Sequence, residues 1–135
     1  MSTGRAAAQA SHAANAFWHE HGTTPDAVEW AAQTPQGFGT AIVLSCDINK
    51  LQELVAVTGR NGFMSDIVVD PDYVIPISSE IIKYMDISRS DDTKIEPSPT
   101  DPNKYLFHRS EVTCAYIFGD KEKLAPLLSG LPLYS

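Results

Sequence analysis

Hydrophobic and polar positions change rhythm several times along this chain, and each change predicts an element. From Gly4 to about Gly22 the pattern is alanine, broken by Gln9, Ser11, His12 and Asn15, with no stripe of Leu or Ile. Alanine is the best helix former, so a helix is expected there, with Ser2 or Thr3 as N-cap and Gly22 as its stop. Thr24-Pro25-Asp26 is a second start signal: a capping hydroxyl, proline at the first helical position, then an acid. That helix should run to about Gln33, and Thr34 to Gly37 reads as a turn.

Thr40 to Cys46 (TAIVLSC) is a continuous β-prone apolar run, the pattern of a strand covered on both faces. Asp47 caps the next helix, whose inner face is Ile48, Leu51, Leu54, Val55 and Thr58, and Asn61-Gly62 ends it. Met64 to Val69 reads as a second strand, closed by Asp70-Pro71-Asp72. Strand, helix and strand within so short a span predict a right-handed βαβ unit with parallel strands.

Beyond Tyr73 the rhythm weakens. Tyr73 to Ile87 is apolar but interrupted by Pro76, with room for a short strand and a short helix. Ser88 to Lys104 is polar and carries three prolines, which predicts an exposed loop. Tyr105 to Arg109 reads as strand in preference to an aromatic platform for nucleic acid. Val112 to Phe118 is the third clear strand, and Asp120 caps a last helix that Pro126 must kink or split. No internal repeat and no linker is visible. The expectation is one α/β domain over residues 1–135, three layers deep (α/β/α), with a mixed, mostly parallel sheet of about four strands.

Composition narrows the function classes. A hydrophobic fraction of 43% over 135 residues supports a packed core. A formal net charge of −7 argues against a broad nucleic-acid surface, and no DNA partner is expected. No apolar run approaches a membrane span, and the start of the chain lacks the Leu-rich core of a signal peptide. Cys46 and Cys114 suit neither a zinc site nor a disulfide framework, so both are read as buried free thiols in a reducing cytoplasm. His19-Glu20-His21 does not place its histidines on one helical face, and neither a metal nor a cofactor is expected.

Arg5, Gln9 and His12 are spaced by four and three, so they form a polar line down the first helix. Arg5 sits in the first turn, where the helix dipole disfavours a cation unless an anion binds nearby. Here the stretch Met1-Ser2-Thr3-Gly4-Arg5-Ala6-Ala7-Ala8-Gln9-Ala10-Ser11-His12-Ala13 resembles the helix motif of the type-II peptidyl-tRNA hydrolases. Ala41 to Leu44, Leu51 to Val55, Ile67 to Asp70, Thr113 to Gly119 and Leu131 to Tyr134 resemble later pieces of that family in the same order. The likeness leaves out an insertion at about 73–110.

The resemblance implies hydrolysis of the ester between a peptide and the 3′ ribose of tRNA. It implies Arg5, Gln9, Asp70 and Thr113 as catalytic residues, with His12, Tyr73, Lys121 and Lys123 contacting substrate. Asp70 would orient the water, while Arg5 and the Gln9 amide would meet negative charge. Lys94, Lys104 and Arg109 would join Lys121 and Lys123 in a basic patch for tRNA. Two positions differ from the family: Arg5 stands in place of lysine, and Val74 in place of a functional threonine. The alternative reading is therefore a catalytically inactive protein of the same fold that binds a nucleotide, an anionic ligand or a protein partner. The family's sheet has a strand ahead of the helix motif. Residues 73–77, a partner chain or an upstream start is expected to supply it, and a homodimer is expected to cover the edge.

Overall fold

The computed structural model describes residues 2–84 and 94–135. Five helices and three strands follow in the order α1 (Thr3–His21), α2 (Pro25–Ala32), α3 (Ile48–Arg60), β1 (Met64–Ser78), α4 (Ser79–Ile82), β2 (Lys94–Pro97), β3 (Lys104–Phe118) and α5 (Lys121–Leu128). The chain divides into two compact units. One comprises Met1–Val68 and Thr113–Ser135, the other Val69–Val112.

The helix boundaries follow from side chains that satisfy the orphan N–H groups of the first turn. Ser2 caps α1, Thr24 caps α2 with Pro25 behind it, Asp47 caps α3, Ser78 caps α4 and Asp120 caps α5. Asp47 Oδ1 accepts from Lys50 N at 2.8 Å, and Asp120 Oδ1 from Lys123 N at 3.0 Å. α3 ends at Asn61, and Gly62 takes φ +81°, a conformation open to glycine at no steric cost.

The sheet differs from the expected one. It has three strands in the order β1-β3-β2, and it is antiparallel instead of mostly parallel with four strands. β2 pairs with β3 so that Lys94 lies opposite His108 and Pro97 opposite Tyr105. The run Thr40–Cys46 is not a sheet strand. It is extended, and among the described residues its one ladder contact is a bridge between Leu44 and Leu133, flanked by Ser45 N to Pro132 O at 2.9 Å and Tyr134 N to Val43 O at 3.0 Å. A continuous apolar run carries no alternation to say which face is buried, so it reads as a doubly covered strand whether or not anything covers it. Ile42 and Val43 are in fact exposed, at 60% and 47%. Without that strand the described residues form no βαβ unit and no three-layer α/β/α sandwich.

Asp70-Pro71-Asp72 does not close β1, nor does Pro76. The strand continues through both prolines to Ser78. Proline removes a ladder donor, and an edge strand is where that loss is tolerated. β1 is such an edge. β3 likewise begins earlier than Val112, at Lys104, taking in Tyr105 to Arg109. Part of the expected 88–104 loop is β2; its residues 88–93 lie outside the described residues.

In the first unit, α1 turns Ala6, Gln9, Ala13 and Phe17 inward. Phe17 stacks on Phe118 of β3 with ring centroids 4.5 Å apart and meets Tyr116 and Trp30 edge-on. Ala27 of α2, Leu54 and Thr58 of α3 and Leu124 of α5 are buried too. The fully buried Thr58 hydroxyl donates to the Leu54 carbonyl at 2.7 Å and sits 2.9 Å from Ser65 Oγ, which reaches the Val55 carbonyl at 3.3 Å. Gly119 lets the chain pass against the Phe63 ring, where a β-carbon would collide with Cδ1.

Two substitutions test this packing. Phe17→Ala removes the ring at the centre of the cluster and should cost about 3–5 kcal/mol in urea unfolding. Gly119→Ala forces a methyl group against Phe63 and should cost about 1–3 kcal/mol, read as a lower midpoint at unchanged m-value.

Candidate functional site

The polar line predicted on α1 does not form one exposed face. Gln9 is 6% exposed and belongs to the inward row, whereas Arg5 and His12 point to solvent. The reason is register: Gln9 lies three residues from Ala6 and four from Ala13, so it falls within the stripe that faces β3. A buried amide needs partners. Thr113 Oγ1 donates to Gln9 Oε1 at 2.5 Å, and Cys114 Sγ donates to the Gln9 carbonyl at 3.2 Å. That last contact shows how closely the alanine-lined helix backbone approaches the strand.

Gln9 and Thr113, both implied by the resemblance, are thus in direct contact. Asp70 and Tyr73 lie on the part of β1 that belongs to the second unit, both half-buried, and Asp70 Oδ1 accepts from Asp72 N at 3.1 Å. Lys121 and Lys123 are exposed in the first turn of α5, on either side of Glu122 and just after Asp120. Lys123 also borders a shallow hollow of about 210 Å³ whose walls include Asp26, Asn61, Phe63, Phe118 and Asp120. The remaining basic-patch residues are in the second unit and are engaged with acids. Lys94 pairs with Glu96 at 2.5 Å, Lys104 with Asp101 at 3.2 Å, and Arg109 with Glu111.

The electrostatics follow these contacts. The hydrogen bond from Lys94 holds the Glu96 carboxyl below its ordinary range, and Glu96 in turn raises the Lys94 amine. The Asn103 backbone N–H and then Lys104 hold the Asp101 carboxyl down. Burial raises the Tyr116 phenol, helped by the negative charges of Asp66 and Glu20; its oxygen is 3.2 Å from His21 Nε2. Partial burial and the adjacent Asp47 raise the Cys46 thiol, which is exposed as a residue and not buried as its apolar neighbours implied. Thiolate is the nucleophilic form, so Cys46 is poorly activated near neutral pH.

Two clusters carry more contacts than their sequence positions indicate. One is the thiol of Cys114 beside Gln9. The other is in the second unit, where His108 Nδ1 is 2.6 Å from Asp72 Oδ1 and Nε2 is 3.3 Å from Glu96 Oε1. Asp72 and His108 are far apart in sequence and on different strands, so only strand register could have joined them. Among the described residues, no group of three or more His, Cys, Asp and Glu could hold a metal ion, and no helix is long and apolar enough to cross a membrane.

Removal of the Gln9 side chain tests whether it is structural. Gln9→Ala leaves the Thr113 hydroxyl without its acceptor and should cost about 1–3 kcal/mol. In a double-mutant cycle with Thr113→Val the two losses should be non-additive by at least about 0.5 kcal/mol. For Cys46, a raised thiol pKa means less thiolate at any given pH below it. Iodoacetamide labelling should therefore be slower than that of free cysteine at neutral pH, with its midpoint displaced upward.

Comparison with known proteins finds no matching family model, no matching curated protein and no matching solved structure.

Proposed function

We propose that this chain works by binding a protein partner, in the first place a second copy of itself, and not by hydrolysing an ester. The observation that carries this reading is the inward position of Gln9. An amide that is 6% exposed and tied to Thr113 serves the helix–strand contact and is poorly placed to meet a substrate. The surface chemistry points the same way. After Arg5 there is no Lys or Arg until Lys50, so the outer face of α1 offers tRNA phosphates a single cation.

The exposed extended segment Thr40–Cys46 is the surface best suited to a partner. Ile42, Val43, Phe38 and Leu133 are exposed around the Leu44–Leu133 bridge. From Trp30 to Cys46, and again from Leu124 to Ser135, the sequence carries no charged residue. In a chain of net charge −7, two copies repel each other over most of their surface. A charge-free extended segment lets them approach without like charges meeting, and antiparallel pairing about a two-fold axis matches the segment with itself.

Peptidyl-tRNA hydrolysis is the second reading, and one contact favours it: Gln9 and Thr113, both named by the resemblance, meet at 2.5 Å. Two measurements separate the readings. The protein should sediment as a dimer at micromolar concentration, and Val43→Asp, at an exposed position, should weaken association at least about tenfold, or about 1.4 kcal/mol, with an unchanged circular dichroism spectrum. Wild-type protein should not release N-acetylated amino acid from tRNA. Steady turnover lost in Gln9→Ala and Asp70→Ala would overturn the binding reading and establish the hydrolase.

A further inference from the structure

The second unit holds a histidine between two acids on different strands. His108 sits on the central strand β3, its side chain 13% exposed. Its Nδ1 contacts Asp72 Oδ1 of β1 at 2.6 Å. Its Nε2 is buried and 3.3 Å from Glu96 Oε1 of β2, without a directed hydrogen bond to it. Lys94 of β2 stands opposite His108 in the strand register and pairs with Glu96. Asp72, Glu96 and Lys94 are thus the charged groups that face the ring from β1 and β2.

We infer that His108 is a one-sided, proton-operated clasp that ties β2 to β3. The two nitrogens have unequal duties. A carboxylate oxygen 2.6 Å from Nδ1 requires a proton between the two atoms, so Nδ1 keeps its hydrogen whether the ring is charged or neutral. Gain and loss of a proton therefore fall on Nε2. With the ring protonated, Nε2–H faces the Glu96 carboxylate and attracts it. With the ring neutral, an Nε2 lone pair faces the same oxygen, and the contact turns repulsive. The Asp72 contact on β1 is common to both states; the Glu96 contact on β2 is not.

The strand controlled in this way is short and lies at an edge of the sheet. β2 is four residues long and pairs with β3 over Lys94 to Pro97 only. Short edge strands open at low free-energy cost. The direction follows from charge: the attraction is present while the ring carries its second proton and is lost when Nε2 gives that proton up. The Lys94–Glu96 pair lies within β2 and persists on both sides of the transition. It leaves Glu96 ionised throughout, so the response belongs to the ring.

Two measurements on the full chain test the inference. The first is the nitrogen chemical shifts of His108, which report the tautomer. The neutral ring should carry its hydrogen on Nδ1; a neutral ring protonated on Nε2 would overturn the inference without any variant being made. The second is backbone amide exchange in residues 94–96 between about pH 5.5 and about pH 8, corrected for intrinsic rates. Protection should fall about tenfold across that interval, while amides of α1 stay level. Glu96→Gln, which presents an amide to either form of the ring, should flatten the response. A wild-type protection that does not change with pH, or an equal fall in Glu96→Gln, would overturn it.

Discussion

The side chains at positions 6 and 13 set how near α1 comes to β3, and the rest of the first unit depends on that distance. Alanine at both sites brings the helix backbone close enough for Cys114 Sγ to reach the Gln9 carbonyl. At this separation a leucine stripe would not fit, and the one long polar side chain in the row must be satisfied inside. Thr113 satisfies it. One helical turn beyond Ala13, Phe17 fills the wider space with a ring, and Phe118, Tyr116 and Trp30 close around it. The alanine-rich sequence of α1 is thus a spacing device with a single polar lock at one end and an aromatic plug at the other.

The sheet rests on a different constraint. Two fifteen-residue strands take part in it, and the outer one carries two prolines. Each proline lacks the N–H that an inner strand would need. Placing β1 at the edge removes that demand and leaves β3 as the strand with neighbours on both sides. The central position of β3 brings Asp72 and Glu96 to the same imidazole from opposite sides. A sheet in another order would separate them.

Local chemistry was legible in the sequence and long-range pairing was not. Ser2, Thr24, Asp47 and Asp120 all cap the helices expected of them, because a cap bonds to an N–H only three residues away. The failure at Thr40–Cys46 has the opposite origin. Its residues favour extended backbone, and they adopt it, but strand partners are chosen by segments far along the chain. Pro71 and Pro76 misled for the same reason, since whether a proline ends a strand depends on edge or centre. Of the site residues, the Gln9–Thr113 pair was named through the resemblance, although as catalytic groups, and their burial was not visible in the spacing. The Asp72–His108–Glu96 cluster joins three strands and left no mark in any window of the sequence.

The uncharged extended segment has a consequence for the protein's fate as a material. Thr40–Cys46 is seven residues long, β-prone, free of proline and of charge, which is the composition of segments that stack into cross-β fibrils. An edge able to pair one copy with another in a closed two-fold is able to pair many copies in an open series. In the self-association proposed above, closure of the pair would separate a finite assembly from a growing one, and crowding the protein before it closes would favour the fibre.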